Sequence, residues 1–551
     1  MSAVILSGGH VVGSGSGICA IPLNQGFPFT GTTATGGDQS YGQTTTSGFV
    51  SYTVSGPSTA AYNAMQQLGA REIVVSLGGS YEGWQASGRN KQNLVTAIKG
   101  QGTYPNLKNT ARTPRVFPYA IIESSQNASS GLPYQTFATL VINKDWWVYT
   151  TAGGSTPLGS PNSGYYEINY AYQWDATASG TAALDSPIAG TVYGTQSNGQ
   201  GPAQTGATYF ASALLTTNPL DTRFQSLTNG AAPNADGIFW DNQFTFPNGG
   251  GNVATTTASW DGVNLQTNST LAAYPSGASS LISRGQYHVM QTVQSYLASC
   301  NPGSTYLNFG NLGNYFNVAG YGTPNSYTAS AMANTFHGGL AETVFGTGGS
   351  SFQTYQTFAE VLQGYNATMD FCLAPKLVGI GIRLPATDSS QTATWLIGGV
   401  STTVTGATGT APALEYQCMR AGLCFTLLDN GYAIFIVSEN QWSLVRYYDE
   451  EGDDFLTQVN VKKGWMGTRV GARPAAAAFS NGIWAAVFTN AIALFNPWAN
   501  GSQTLSLSQI QAVFPGNYTC ISGSQQPTIN TGATFVSHTF GDPDGLILLK
   551  S

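Results

Sequence analysis

Apolar positions along the chain fall into two textures. Between about residues 72 and 428, short apolar runs rich in β-branched and aromatic residues alternate with segments of helical periodicity. Beyond about residue 438 the helical periodicity ceases and short strand-like runs follow one another. Strands are predicted at 72–77, 115–122, 146–150, 236–241, 305–309, 338–344, 377–384 and 421–428. Helices are predicted near 91–98, 134–142, 208–215, 281–297, 354–365 and 413–420. Alternation of this kind argues for parallel strands, because a parallel pair needs a long crossover connection, usually a helix. Eight such strands fit an α/β (β/α)8 TIM barrel better than an open doubly wound sheet.

The pattern divides the chain into an extended N-terminal arm over 1–58, a barrel over 59–437 and an all-β C-terminal domain over 438–551. Strands of the last are predicted near 444–448, 483–488, 491–495, 505–507 and 545–549. The barrel span exceeds the usual length of roughly 250 residues, so long loop insertions are required. Two stretches rich in Gly, Ser, Thr and Asn, 151–205 and 245–279, supply them. They follow the third and fourth predicted strands and therefore emerge at the C-terminal face, where barrel enzymes build their sites.

In Asp236-Gly-Ile-Phe-Trp-Asp241-Asn242, alternate residues share a face, so Gly237, Phe239 and Asp241 are grouped together and Asp241 ends the strand. A loop-capping role is the plainer alternative for this carboxylate. The segment His337-Gly-Gly-Leu-Ala-Glu342 delivers a second acid from an apolar strand. Burial of a lone carboxylate is costly, which favours either a function or a specific partner such as Arg383. Two carboxylates flanking a glycosidic bond are the minimal equipment for its hydrolysis, one giving a proton to the leaving oxygen and the other serving as nucleophile or activating water. Glu123, Asn308, Asn311 and Arg383 lie on or beside predicted strands and are candidate sugar-binding residues, joined by Trp84 and Trp147, whose rings suit stacking on sugar faces. Trp240 is a further aromatic candidate.

These segments carry a family resemblance. Asp236-Gly-Ile-Phe-Trp-Asp-Asn, then Tyr306-Leu-Asn-Phe-Gly-Asn, then Gly338-Gly-Leu-Ala-Glu resemble the strand-four, strand-five and strand-six motifs of the barrel glycoside hydrolases of the broad α-amylase-like and α-galactosaminidase-like kind. The run Trp484 to Pro497 is similar to a strand pair of their C-terminal β domains, with Ala491 where a turn glycine is usual. The resemblance implies a glycosidase barrel with Asp241 and Glu342 as the catalytic pair, and does not assign which of them is the acid.

Composition narrows the field of partners. Charged residues are only 8% of the chain against 42% hydrophobic, which excludes a disordered chain. The net charge is -7, and no basic run exceeds two residues, so nucleic acid is not an expected partner. No apolar run is long enough to span a membrane. Six cysteines and four histidines show no zinc-ligand spacing, so neither a metal nor a cofactor is expected, and the cysteines are expected as free, mostly buried thiols. The acidic run 449–454 does not match a calcium loop and is expected as a solvated turn. Met1 to Gly17 lacks the charged and apolar regions of a Sec signal. Extracellular or virion-associated residence by another export route is therefore expected, with the cytoplasm left open. Carbohydrate is the expected substrate. The alternative is a structural or receptor-binding protein of a virion or other particle, assembled with other copies, that uses a glycosidase-like barrel to bind glycans. A Ser-based hydrolase is disfavoured, since no G-x-S-x-G elbow occurs.

Overall fold

A computed structural model of the 551-residue chain describes residues 357–384, 392–397, 400–405, 413–436, 469–523 and 526–551, and elsewhere short strands with a few single residues. Eight strands form one sheet: β1 (Cys19–Ala20), β2 (Ile73–Ser76), β3 (Arg115–Ile121), β4 (Gly237–Asp241), β5 (Leu307–Asn311), β6 (Gly338–Phe345), β7 (Leu377–Arg383) and β8 (Tyr432–Ile436). All are parallel, and each pairs with the next in the sequence. The outer strands β1 and β8 approach within 8 Å between Cα atoms, so the sheet curls until its edges meet. Closure of this kind protects edges that would otherwise pair with other chains.

Six of these strands stand where the alternation of apolar runs predicts them, and two do not. The run 421–428 is helical, the second half of α2 (Ala413–Thr426) and the turn after it. Residues 415, 416 and 418–429 are all buried, so the run lacks the polar face that separates a helix from a buried strand by pattern. The eighth strand starts instead at Tyr432, after the Gly431 turn. The run 146–150 lies outside the described residues, and β3 pairs directly with β4, with no strand between them. The first strand comes from Cys19–Ala20, within the segment expected as an arm.

Helix α1 (Phe358–Phe371) begins at a capping box, in which the Thr357 hydroxyl accepts from the Glu360 amide at 3.3 Å and the Thr357 amide donates to the Glu360 carboxylate at 2.8 Å. Val361, Leu362 and Tyr365 of α1 and Met419, Leu423 and Phe425 of α2 pack in one core with Val378, Ile380 and Ile382 of β7. Even-numbered positions of β7 thus face the helices, and Leu377, Gly379, Gly381 and Arg383 face the opposite side. Close approach is enforced by glycine at Gly338, where an added Cβ would lie 2.0 Å from the Leu377 carbonyl oxygen on the neighbouring strand.

The C-terminal part is built from β9 (Trp484–Val487), β10 (Ala491–Asn496), β11 (Gln503–Ser506), α3 (Leu507–Val513), β12 (Tyr518–Cys520), β13 (Ser537–Phe540) and β14 (Asp544–Lys550). β9, β10, β14 and β12 form an antiparallel sheet in that order, and β11 pairs with β13. Every residue of β10 is buried. Ile492 and Leu494 pack into a core with Leu505, Ile510, Phe540, Leu546 and Leu548, whereas Ala491, Ala493 and Phe495 pack into the core of α1 and α2. This sheet is therefore covered by its own core on one face and by the helices of the parallel sheet on the other.

Polar groups pin that seam. Arg420 of α2 donates to the Asp544 carboxylate at 2.9 and 3.2 Å, to the Gly545 carbonyl at 2.9 Å, and to Gln526. Burial by itself would raise the Asp544 carboxyl, but the Arg420 charge, the His538 ring 3.5 Å away and the Gly545 N–H outweigh it and hold the group below the usual carboxylate range. Arg469 donates to the Leu427 and Leu428 carbonyls, and the Tyr365 hydroxyl donates to the Thr426 carbonyl, so the C-terminal end of α2 is satisfied by side chains. Arg473 bridges Asp370 and Asp429. Glu450, expected in a solvated turn, is instead buried and accepts from Asn530 at 3.1 Å. Cys372, Cys418 and Cys424 are buried free thiols and Cys520 is half-buried and free. Six residues apart along one helix, Cys418 and Cys424 are separated by a rise of ~9 Å and cannot pair.

Candidate functional site

Strand register groups the residues that the sequence singles out. Phe239 pairs with Phe309, Phe309 with Gly338, and Gly338 with Leu377, so these four share the face turned away from the helices. Rings on that face meet: Phe117 and Phe309 lie 5.3 Å apart between centroids although β4 separates their strands, and Phe239 lies 5.4 Å from Phe309. Contact across an intervening strand requires a concave surface, which fixes this face as the interior of the curled sheet.

Asp241, Asn311 and Arg383 occupy strand positions of the same parity as Phe239, Phe309 and Leu377 and end their strands, whereas Glu342 lies past the last regular pair of β6 with β7, where parity does not assign a face. Asp241 is the last residue of β4 and is the register partner of Ile121; Asn311 is the last of β5 and pairs with Leu340. Glu342 lies two residues past Leu340 and is not at the strand end. β6 runs on to Phe345, and its register with β7 is interrupted between Ala341 and Phe345, so Glu342, Thr343 and Val344 together oppose the single residue Gly381. Bulges of this sort gather at barrel rims and beside active sites, where they redirect a side chain. Arg383 ends β7, is buried, and pairs with Ile436. Its carbonyl accepts the Trp395 indole N–H at 2.9 Å from the hairpin 392–405, and that indole stacks on Phe345 at 5.7 Å. Glu123 follows β3 by two positions; it, Trp84 and Trp147 lie outside the described residues. Immediately beyond Glu123, Ser124–Gln126 pairs with Tyr165–Glu167, which brings part of the insertion 151–205 to the C-terminal end of β3.

Asn308 and Trp240 have the opposite parity and lie on the helix side. The Trp240 indole N–H donates to the Asn308 side-chain oxygen at 3.0 Å, and the Asn308 amide donates to the Gln294 side-chain oxygen at 3.2 Å. Gln294, helical and within the predicted helix 281–297, returns a bond to the Tyr306 carbonyl at 2.9 Å. Asn308 is 3% exposed and Trp240 0% exposed, which separates both from the concave face and its sugar-binding candidates. The Asn308 backbone N–H donates to His337 Nδ1 at 3.1 Å, while the His337 backbone N–H donates to the Asn308 carbonyl at 2.9 Å. Burial pushes the His337 imidazole down to about 4, with the Arg115 charge assisting. A neutral ring is what an acceptor Nδ1 requires. His337 carried no signal in the sequence, where it stood among four scattered histidines.

Among the described residues no three His, Cys, Asp or Glu side chains gather in a way that could hold a metal ion, and no helix is long and apolar enough to cross a membrane. By sequence, no protein family and no characterised protein matches the chain. Among the solved structures similar to it at low identity are three that cover most of the chain. They are a Nostoc punctiforme debranching enzyme soaked with acarbose (11% identity, 88% of this chain and 87% of that one, TM-score 0.39), a Paenibacillus cycloisomaltooligosaccharide glucanotransferase complexed with cycloisomaltoheptaose (7%, 89% and 82%, 0.41), and a cyclic α-maltosyl-(1→6)-maltose hydrolase from Arthrobacter globiformis (9%, 88% and 87%, 0.36).

Proposed function

We propose that the chain is a glycoside hydrolase whose curled parallel sheet is a (β/α)8 barrel, with Asp241 and Glu342 as its two catalytic carboxylates. One observation carries the reading: Asp241 at the end of β4 and Glu342 in the bulged stretch of β6 lie on the two strands that flank β5 in one sheet, both toward its C-terminal ends. Barrel active sites are built at that end.

Spacing supports it. Two strand separations across the sheet and a two-residue rise set the backbone positions of Asp241 and Glu342 ~12 Å apart. Retaining and inverting glycosidases hold their two carboxylates roughly 5–9.5 Å apart. One acid protonates the glycosidic oxygen as the bond breaks, and the other meets the oxocarbenium-like carbon or activates the water that does. Arg383 and Asn311, beside the pair, serve as donors to sugar hydroxyls or to the ionised acid. Glu123, Trp84 and Trp147 are proposed at the rim on the strength of their positions in the sequence.

Asp241→Asn and Glu342→Gln, made separately and assayed on a panel of α- and β-linked polysaccharides, test the assignment. Each is expected to lose at least about a hundredfold in kcat while still binding the substrate the wild type cleaves. Hydrolysis at the wild-type rate by either variant would overturn it.

A further inference from the structure

The hydrogen bonds behind the concave face are arranged in a way that burial alone does not require. Trp240 precedes Asp241 by one residue on β4, Asn308 lies three residues before Asn311 on β5, and His337 immediately precedes β6. These three residues are linked in sequence: the Trp240 N–H to the Asn308 side chain, then the Asn308 backbone N–H to His337 Nδ1. Gln294 holds the remaining side of the Asn308 amide and is itself held by the Tyr306 carbonyl. An apolar trio would fill the same space, but it would add nothing directional to the backbone ladder that joins the three strands. Directional bonds across neighbouring strands, one between side chains at 3.0 Å and one from the Asn308 backbone N–H to the His337 side chain at 3.1 Å, hold their relative height more tightly.

We propose that Asn308 and His337 are positioning residues that, through Trp240, fix the relative height of β4, β5 and β6 and so the spacing of Asp241 from Glu342. The proposal rests on the glycosidase reading for its catalytic consequence, while its geometric content stands apart from that reading. The bulge at Glu342 sharpens the need: where regular pairing with β7 lapses, β6 depends on its bonds to β5 for its height. Both residues act from the side of the sheet opposite the reacting atoms, and neither is a catalytic residue.

The test uses Trp240→Phe, which deletes one N–H from a retained aromatic, His337→Leu, which deletes the acceptor, and His337→Asn, whose side-chain oxygen restores an acceptor near the position of Nδ1. Kinetics on the polysaccharide cleaved by the wild type are expected to show kcat lowered about tenfold to a hundredfold in Trp240→Phe and His337→Leu, KM changed less than about twofold, and recovery of most of kcat in His337→Asn. Crystal structures of the wild type and Trp240→Phe supply a readout independent of turnover, with the Asp241 to Glu342 Cα separation expected to change by about 1 Å. An unchanged separation in Trp240→Phe, or a kcat per folded molecule equal to the wild type in both deleting variants, overturns the positioning role. If Asp241→Asn and Glu342→Gln cleave normally while Trp240→Phe alters the separation, the glycosidase assignment fails and the positioning role survives.

Discussion

Gly422 offers a sharp test of how tightly the helices are seated on the sheet. Replacing a glycine inside a helix by alanine ordinarily stabilises it by about 1 kcal/mol. In α2 an added Cβ would lie 2.7 Å from both Cδ1 and Cγ1 of Ile382 and 2.8 Å from its Cγ2. Carbon atoms in good contact sit about 3.5–4.0 Å apart, so three atoms of a β-branched, rotationally stiff and fully buried side chain would be overlapped by roughly 1 Å. Overpacking of that kind costs about 1–3 kcal/mol, which leaves Gly422→Ala destabilised by about 1 kcal/mol after the helix gain is subtracted. With an m-value of about 3 kcal/mol/M, the urea midpoint drops by about 0.3 M. Ile382→Ala removes the obstructing carbons and itself costs about 2–5 kcal/mol. Within that background the three overlapping carbons are gone, and the same Gly422→Ala change is expected to stabilise. The sign therefore reverses between the two backgrounds. A higher midpoint for Gly422→Ala in the wild-type chain, or an effect of the same sign in both, would refute the packing argument.

Three further outcomes are expected. In acid, the unfolded chain takes up a proton on His337 near its ordinary value of 6.5 while the folded chain waits until about 4, so stability is undiminished above 6.5 and falls by about 3 kcal/mol as pH drops to 4; His337→Asn flattens this segment of the pH–stability profile, and an equal decline in variant and wild type contradicts it. Arg420→Met leaves the Asp544 carboxylate buried without its guanidinium and is expected to cost about 3–5 kcal/mol. Adding Asp544→Asn recovers roughly 1 kcal/mol or more in a double-mutant cycle, and strict additivity of the two changes would count against the pair. Gly338→Ala drives a Cβ to 2.2 Å from the Leu377 carbonyl carbon and 2.7 Å from its Cα, backbone that cannot rotate away. It is expected to lower stability by at least about 2 kcal/mol in urea unfolding, and a neutral result would show that β6 and β7 can separate freely.

Strands buried on both faces and ended by a polar residue were legible in the sequence. Gly237–Asp241 and Leu377–Arg383 need only local information, an apolar run and an abrupt change at its end. The run 421–428 was misleading because burial around the whole helix erases the 3.6-residue signal. Two residues, as in Cys19–Ala20, are too few to display any period. For Asn308 and Asn311 the deciding clue was available: three residues apart on one strand, they have opposite parity and cannot share a face. The bulge that sets Glu342 within β6 depends on its pairing with β7, whose flanking register partners lie 37 and 39 residues further along, and has no local signature. The same holds for Glu450, whose burial depends on Asn530.

The doubly covered sheet at the C-terminal end has a practical meaning for anyone wishing to dissect the chain. β10 and Ile547 of β14 complete the core that seats α1 and α2, and Arg469 supplies donors to the end of α2. A chain stopped near residue 437 would bare the apolar backs of both helices and strip carbonyls of their donors, giving a sticky fragment in place of a working half. Loss of the tail should therefore read out at the other end of the molecule, through helices that lean on it, as misplacement of β7 and the arginine it carries. The two textures seen in the sequence meet in one shared wall, and that wall, more than any linker, decides where this protein can be cut.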